Sequence, residues 1–538
     1  MSATQGQDGR MPPGKIAIAE LVVAACLSLT LLVLLFVRAT HGGALWRDEC
    51  GALHLAQLSS FSEIARNFQH EAFPLLFPTT LRLYSHIFGT SDAALRFFGF
   101  VVGVGFVAAT WFVMPPKERP LLQLGLVGLN TTFLVWGTTV RGYGLGSVLI
   151  LITLGSAVRT LRHPTFLNLL ITSCAAIASA HCLLHNLTLI AAMTIAAVFA
   201  LSTSGRGKDA LMVCVAALGC ALTMLPYAPG YLAADWRMVL RVPIGLGWLW
   251  QQFLIAMGEP WWLMRPLWLG AAVLLVVSAI VQLRSRKQSQ SKDAVVSFLF
   301  FFCVIALITY FGFLRLLSYA THSWYYLALL TVLAAAIDLF VVFTGGKWLR
   351  IARLIIAVAA YCAIPFGLLG AITQRQSNID DVARKLNDAR AGDLIVLNPW
   401  FLALSFNHYY RGTAPWLTAP RIPETRFHRF DLVKSKMSEP EPLADVEEEV
   451  RKTLVSGHRV WLAGGALIPP DGRIPVNLKP APDPEFGWNT DAYTTAWSQQ
   501  IGTFFQAHSL SAAVVLAPEN QVNSYENIPL WVAEGWKE

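Results

Sequence analysis

Charge is what this chain lacks most: Asp, Glu, Lys and Arg make up 14% of its 538 residues, against 55% hydrophobic ones. A soluble globular chain carries about 25% charged residues, so composition excludes an ordinary soluble enzyme. Cysteine is also sparse. Of eight cysteines, Cys26, Cys174, Cys182, Cys214, Cys220, Cys303 and Cys362 lie in or at the ends of apolar runs; only Cys50 does not, and none follows Cys362. That excludes a disulfide framework and a Cys-x-x-Cys metal site. There is no internal repeat and no long low-complexity tract. The basic residues form no stripe, which argues against a nucleic-acid partner.

What the chain has instead is apolar runs long enough to cross a bilayer. Eleven spans are predicted: 16–37, 92–114, 119–138, 142–158, 165–183, 187–203, 209–226, 262–283, 294–314, 324–343 and 350–371. Residues 244–257 are apolar but short and read as an interfacial or re-entrant piece. The first span is too long for a signal-peptide core and lacks a cleavage site, so it reads as an anchor.

Loop charge sets the expected orientation. Pro115–Pro120, Arg159–Arg162, Arg206–Lys208, Arg284–Lys292 and Lys347–Arg353 are basic and are expected on the cytoplasmic side with the N-terminal tail, residues 1–15. An odd number of spans then places the C-terminal part outside. Residues 1–372 hold 25 Lys and Arg against 13 Asp and Glu, whereas residues 373–538 hold 16 against 20. Basicity therefore belongs to the membrane part, 16–372. All six lysines before residue 372 fall on the expected cytoplasmic side. The outer side carries arginines only: Arg47, Arg66, Arg82, Arg96, Arg141, Arg237, Arg241, Arg265 and Arg315. A guanidinium grips phosphate through a planar fork, which suits a lipid phosphate. Capping and pairing with Glu63, Glu71, Asp92, Asp235 and Glu259 is the plainer alternative.

The first outer loop, 40–91, holds two amphipathic stretches, Ser59–Phe68 and Pro74–Phe88, suited to the interface. A second, 227–261, is rich in Trp and Pro. After residue 372 the pattern changes to short helices at Ile379–Arg390 and Ala444–Val455 and apolar strands at Asp393–Leu397, Arg459–Leu462 and Ala512–Leu516. This reads as a small α/β domain, 373–538, with a Pro- and Gly-rich loop over 465–490.

Several polar residues stand at the outer mouth. Asp48-Glu49 follow the first span, where ionisable groups are costly and tend to mark function; a helix N-cap is the alternative. His70-Glu71 begins like a zinc-protease motif, but residue 74 is Pro where the second His belongs, and that reading fails. Arg141 and Tyr143 follow the third span with no acid nearby in sequence. His181 and His185 have the spacing of metal ligands on one helix face, but no third ligand is evident, and hydrogen-bonded interfacial histidines are the better reading. His322 stands at the mouth of the tenth span. Asp338 lies toward that span's other end and reads as structural.

Together these features resemble the polyprenyl-phosphate-sugar-dependent glycosyltransferases of the C-type fold, which include the protein O-mannosyltransferases and the bacterial aminoarabinose transferases. The resemblance runs from about residue 16 to 410. Asp48-Glu49 is similar to that family's acidic pair in the first outer loop. His70 with Pro74-Leu75-Leu76 resembles its His-Pro-Pro-Leu segment. Phe88-Gly89 to Ala94-Leu95-Arg96 resembles its entry to the second span, and Arg141-Gly142-Tyr143 its Arg-x-Tyr. His185 is similar to a His near the outer end of a mid-chain helix. Two departures stand out: Glu71-Ala72-Phe73 replaces the first proline, and Ser323-Trp324-Tyr325-Tyr326 lacks the late arginine.

The resemblance implies inverting transfer of a hexose or pentose from a polyprenyl phosphate to an envelope glycan, lipid or protein, in a bacterial plasma membrane. Phosphate is a good leaving group, so one carboxylate suffices as base, unlike the pair in glycosidases. The implied roles are Asp48 as base and Glu49 as its orienting partner. Arg141 with Tyr143 would hold phosphate, and His70, Glu71, His185 and His322 would line the substrate cavity. No cofactor is required; a divalent metal at Asp48-Glu49 is compatible but not demanded. A lipid-linked-sugar flippase, or a glycan ligase or polymerase using a lipid pyrophosphate, are the rival readings.

Overall fold

A computed structural model describes residues 14–284, 290–364, 366–465 and 477–538. Most of the N-terminal tail, part of the basic loop 284–292 and residues 466–476 of the 465–490 loop lie outside the described residues.

The chain enters on α1 (Lys15–His41) and crosses the first long connection on α2 (Arg47–Ala56), α3 (Phe61–Asn67) and α4 (Leu76–Phe88). It continues through α5 (Asp92–Val113), α6 (Gly142–Arg162), α7 (Phe166–Cys182), α8 (Asn186–Thr203) and α9 (Gly207–Thr223). Three short helices, α10 (Ala228–Ala233), α11 (Trp236–Val239) and α12 (Leu246–Ala256), precede α13 (Trp261–Arg284), α14 (Gln290–Leu317), α15 (Leu327–Thr344), α16 (Lys347–Cys362) and α17 (Leu368–Thr373).

Among the described residues, eight helices are long and apolar enough to cross a membrane: α1, α5, α6, α8, α9 with its continuation to Ala233, α13, α14, and α15 counted from Ser323. Their outer faces expose residues such as Leu29, Phe36, Leu269 and Ile308. That is how a helix meets lipid rather than water. α15 is buried almost all round and forms the axis of the bundle.

The other three predicted spans are shorter or broken. Span 165–183 is a 17-residue helix. Span 350–371 ends as a helix at Cys362 and resumes briefly at Leu368. Span 119–138 is two π-helical segments, Gln123–Gly128 and Phe133–Gly137. The break has a local cause. Asn130 uses its side chain on backbone, accepting from the Thr132 amide at 2.7 Å and donating to the Ala256 carbonyl at 2.9 Å. Such side-chain bonding competes with a helical ladder.

At the end of the bundle remote from the first long connection, Glu20 of α1 pairs with Arg350 and, at 2.8 Å, with Arg353 of α16. Arg353 lies 3.5 Å from Asp338 of α15, which accepts the Leu121 amide at 2.9 Å. Glu20, Arg353 and Asp338 are buried, and each is paired and makes at least one hydrogen bond, so Asp338 is a tie between α15, α16 and the start of the first π-helical segment.

The C-terminal part runs through α18 (Ile379–Leu386), β1 (Leu394–Asn398), α19 (Ala403–Tyr409), β2 (Trp416–Thr418), α20 (Phe430–Met437), α21 (Ala444–Val455), β3 (Val460–Gly464), α22 (Thr490–His508), β4 (Ser509–Leu516) and β5 (Leu530–Trp536). One five-stranded sheet, ordered β2-β1-β3-β5-β4, has β2, β1 and β3 parallel and the last two strands antiparallel. β1 and β3 are buried throughout, as expected for central strands covered on both faces.

This sheet domain docks on the first long connection. Tyr409 of α19 accepts the Leu45 amide at 2.7 Å and donates to Asp92 at 2.6 Å. Arg38 at the end of α1 donates to the Ile372 carbonyl at 3.2 Å and also bonds the Gln374 carbonyl. The first long connection and the described part of the sheet domain therefore occupy the same face of the bundle.

Close backbone approach sets the entry to α6. A Cβ on Gly144 would overlap the Gly137 carbonyl oxygen, a contact of backbone that no rotamer change relieves. Gly144→Ala is expected to destabilise by at least the 1–3 kcal/mol of ordinary overpacking, read as a lower unfolding temperature of the detergent-purified protein.

Candidate functional site

The site is built on the turn between α1 and α2. Glu49 sits in the first turn of α2, and its carboxylate accepts the Trp46 amide at 3.2 Å and the Val140 amide at 2.9 Å. Arg96 of α5 meets the same carboxylate with both terminal nitrogens, at 2.7 and 3.1 Å, and spends its other donors on the carbonyls of Gly43 and Ala44. Glu49 is fully buried. The predicted acidic pair is thus divided: Glu49 faces inward to Arg96 and does not orient Asp48 by contact, while Asp48, one position earlier on the helix, faces a cavity.

That cavity, of about 270 Å³, is lined on the membrane side by Arg47, Asp48, His70, Glu71, Arg141 and His322, with Tyr319 and Tyr325. The sheet domain lines the rest with Trp400, Phe401, His428, Phe430, Thr490, Asp491 and Thr494. A smaller annex of about 70 Å³ shares Glu71, Arg141, Trp236, Tyr319 and Tyr325 and continues past Tyr143, His185 and Tyr231. The structure therefore gathers Asp48, His70, Glu71, Arg141 and His322 at one cavity and Tyr143 and His185 at its extension.

Asp48 and Glu71 form the spatial acidic pair, bridged twice. Arg141 donates to Glu71 at 2.8 Å and lies 3.8 Å from Asp48 Oδ2. It also donates to the Asp48 carbonyl at 2.9 Å and stacks over Phe73, its Cζ 4.4 Å from the ring centre. The second bridge is His428, in the loop before α20. Its Nδ1 lies 2.9 Å from Glu71 Oε1, its backbone amide donates to the same oxygen at 3.2 Å, and its Nε2 lies 3.6 Å from Asp48 Oδ1. Ala72, with φ 58°, turns the chain directly after Glu71, so Glu71 and Phe73 both flank Arg141.

Electrostatics follow from these contacts. Burial pushes the Asp48 carboxyl up, but Arg141, His428, Arg47 and His322 together outweigh it and hold the group below the usual carboxylate range. Glu71 behaves alike: burial raises it, and His428 and Arg141 more than reverse that. Both carboxylates are ionised at neutral pH. Burial holds the His70 imidazole below its ordinary value, so it is neutral there; its ring stacks on Phe427.

The remaining expectations divide. Arg47 stacks on Phe401 and lies 3.8 Å from Glu526. Arg82 and Arg237 are spent on backbone carbonyls, and Arg66 on Ser62. Of the nine arginines expected on the outer side, Arg47 and Arg141 line the cavity. His181 and His185 do not share a helix face: α7 ends at Cys182, and His185 precedes α8. His181 bonds Tyr227 at 2.8 Å and Thr223 at 3.0 Å, beside a separate apolar groove of about 710 Å³. No group of three His, Cys, Asp or Glu side chains suited to a metal occurs among the described residues. At Asp48-Glu49 only Asp48 is free to ligate, so that pair does not fit a metal.

Sequence reading missed His428. The signal was present: Arg426-Phe427-His428-Arg429-Phe430 is a basic, aromatic run in an otherwise acidic domain.

Two predictions follow from these ion pairs. Arg96→Met leaves Glu49 buried and unpaired and is expected to cost about 3–5 kcal/mol, seen as a large fall in unfolding temperature. Glu526 accepts the Arg47 amide at 2.8 Å and the Ser377 hydroxyl at 2.9 Å, and burial pushes its carboxyl up to about 7. A carboxyl raised in the folded state contributes stability that is full below its unfolded value and lost as pH rises through the folded one. Thermal unfolding between pH 5 and pH 8 is expected to show this loss in the unaltered protein and a flatter profile in Glu526→Gln.

No protein-family profile matches the chain, and no curated protein matches it. Among solved structures it is similar to the crystal structure of ArnT from Cupriavidus metallidurans bound to undecaprenyl phosphate, with a TM-score of 0.50 and 11% sequence identity over 95% of this chain and 97% of that one. At that identity the likeness speaks for architecture: the chain is a multi-pass membrane protein with the C-type glycosyltransferase fold of an aminoarabinose transferase.

Proposed function

We propose that this protein is an inverting membrane glycosyltransferase that moves a hexose or pentose from a polyprenyl phosphate to an acceptor hydroxyl of an envelope glycan, lipid or protein. The observation that carries the reading is an ionised carboxylate, Asp48, 3.8 Å from the Arg141 guanidinium in one cavity. It stands in a fold whose solved relative holds undecaprenyl phosphate.

In this reading Asp48 takes the acceptor proton, and Arg141 stabilises charge developing on the departing phosphate. The annex beyond Arg141, past Tyr143 and His185, is the donor's side. A carboxylate held low by a neighbouring guanidinium is a weak base at rest. A phosphate that engages Arg141 competes for that charge and lets Asp48 rise toward its ordinary value. Donor binding would thereby activate the base. Tyr325 and His322 supply cavity wall where the family's late arginine is absent. The face carrying the site is the extracytoplasmic one of a bacterial plasma membrane, because the basic loops belong to the opposite face.

Asp48→Asn keeps the side chain's shape and removes its basicity. Sugar transfer from radiolabelled polyprenyl-phosphate sugars to envelope acceptors, by purified protein in detergent, is expected to fall by about 10²–10⁴-fold, with unchanged unfolding temperature. Undiminished transfer by the folded variant would remove Asp48 from the role.

A further inference from the structure

The membrane part supplies Asp48, Glu71 and Arg141, yet the cluster they form is closed by a residue of the sheet domain. His428 stands opposite Arg141 across the two carboxylates. Its Nδ1 lies 2.9 Å from Glu71 Oε1, an oxygen that also accepts its backbone amide at 3.2 Å. An ionised carboxylate only accepts, so Nδ1 carries the hydrogen. That fixes the tautomer and leaves Nε2 facing Asp48 Oδ1 at 3.6 Å. Phe430 stacks on the ring at 5.9 Å, and Trp400 meets it edge-on at 6.4 Å, so its plane is set from the sheet-domain side as well.

A second observation shows that this geometry needs room on α2. A Cβ on Gly51 would overlap the Glu71 carboxylate. The helix that presents Asp48 thus carries a glycine one turn on, where the anchor of His428 must lie.

We propose that His428 is the positioning residue for the proton that Asp48 removes: Glu71 anchors the ring through Nδ1 and so holds Nε2 toward the base, where it receives the base's proton, so that the catalytic centre is complete only when the sheet domain is docked. The inference rests on the glycosyl-transfer reading above. In the step, the acceptor O–H bond breaks and its oxygen forms the new bond to the anomeric carbon. The bond from that carbon to the phosphate oxygen breaks, and both electrons leave with the phosphate. The proton goes to Asp48 and on to His428 Nε2, where Glu71 compensates the imidazolium charge; the imidazolium returns it to solvent at the cavity mouth. The charged groups facing His428 are Asp48 and Glu71, with Arg141 behind both; Arg429 and Asp431 on its own segment pair with each other at 2.6 Å.

Substitution of His428 keeps its backbone amide on Glu71, so the loop retains one of its docking bonds while the ring is removed. The experiment compares full-length unaltered protein, His428→Ala, Asp48→Asn, the double variant and Gly51→Ala in detergent. Three readouts are taken: transfer from a polyprenyl-phosphate sugar, binding of undecaprenyl phosphate by tryptophan quenching, and unfolding temperature. His428→Ala is expected to bind undecaprenyl phosphate within twofold of the unaltered protein and to lose about 10²-fold in kcat. Added imidazole should recover tenfold or more of that loss, and none of the loss in Asp48→Asn. The double variant should be no slower than Asp48→Asn, because the two residues act in one chain. Gly51→Ala should lower kcat in the same direction by displacing Glu71.

Unchanged turnover of His428→Ala overturns the proposal and leaves the transferase reading standing. So does a loss that follows undecaprenyl-phosphate affinity, which would make His428 a phosphate ligand, or a loss that imidazole does not recover. Absence of transfer by the unaltered protein overturns the transferase reading and the positioning role with it.

Discussion

The buried carboxylate of Glu49 is the constraint on which the site depends. It holds three separate pieces of chain at once: the Trp46 amide before α2, the Arg96 guanidinium on α5 and the Val140 amide before α6. The residues that follow two of these anchors, Arg47 after Trp46 and Arg141 after Val140, line the cavity. Asp48 precedes Glu49 and Arg141 follows Val140, so one inward-facing carboxylate fixes both partners of the outward-facing pair. The ion pair is costly to bury, but every oxygen and nearly every donor in it is satisfied, which is the condition for such a pair to hold. A buried ion pair specifies geometry more than it adds stability, and geometry is what a site spanning three elements needs.

The cavity's own charges are balanced in the same economical way. Asp48 and Glu71 are bridged from one side by Arg141 and from the other by His428. Two like charges this close would push one carboxyl upward; two bridging cations or donors reverse that. Arg141 can serve both carboxylates, a backbone carbonyl and the Phe73 ring because its guanidinium is planar and carries five donors. A lysine could not make that set of contacts, which gives the arginine-only set expected on the outer side a structural explanation. Most of those arginines are in fact engaged with carbonyls and carboxylates of the protein itself.

Much of this was legible in the sequence, and the parts that were not share a cause. Apolar length located all eight long apolar helices found among the described residues, since a bilayer leaves no other solution for the backbone, but it gave no sign of the 19-residue α22 in the sheet domain. It did not register breaks: 119–138 is as apolar as its neighbours, yet the Asn130 side chain divides it, a single residue acting through hydrogen bonds that hydropathy does not capture. In the sheet domain, strands β1 and β3 and helix α21 follow from their periodicity. β2 is three residues long, too short for periodicity to mark. At the site, loop position and residue type found Asp48, His70, Glu71, Arg141 and His322. Adjacency misled: Asp48 and Glu49 are neighbours in sequence but serve different surroundings, because helical neighbours point about 100° apart, whereas Glu71 is 23 positions away and adjacent in space. His428 lies farther still, and no local pattern pairs it with the first loop.

The site's place at the junction of two unlike domains follows from what each can offer. A membrane bundle is built from apolar helices and can present charge only at its mouth, where Arg47, Asp48, Glu71 and Arg141 sit. Left open, that mouth would be wet, and water would weaken every electrostatic contact in it. The sheet domain covers it with Trp400, Phe401 and Phe430, which exclude solvent, and with Thr490, Asp491 and Thr494, which face the cavity without adding cations. Tyr409, Arg38 and Glu526 hold that cover in register with α1, α2 and α5 through bonds to backbone and to Asp92. The two halves of the cavity thus differ in kind. The membrane half concentrates the arginines, and the sheet-domain half is aromatic and hydroxyl-bearing. Asp48 stands at the seam with one oxygen toward Arg141 and the other toward His428. That asymmetry comes from the junction itself, because neither a bundle of apolar helices nor a soluble sheet domain alone brings both kinds of lining to one carboxylate.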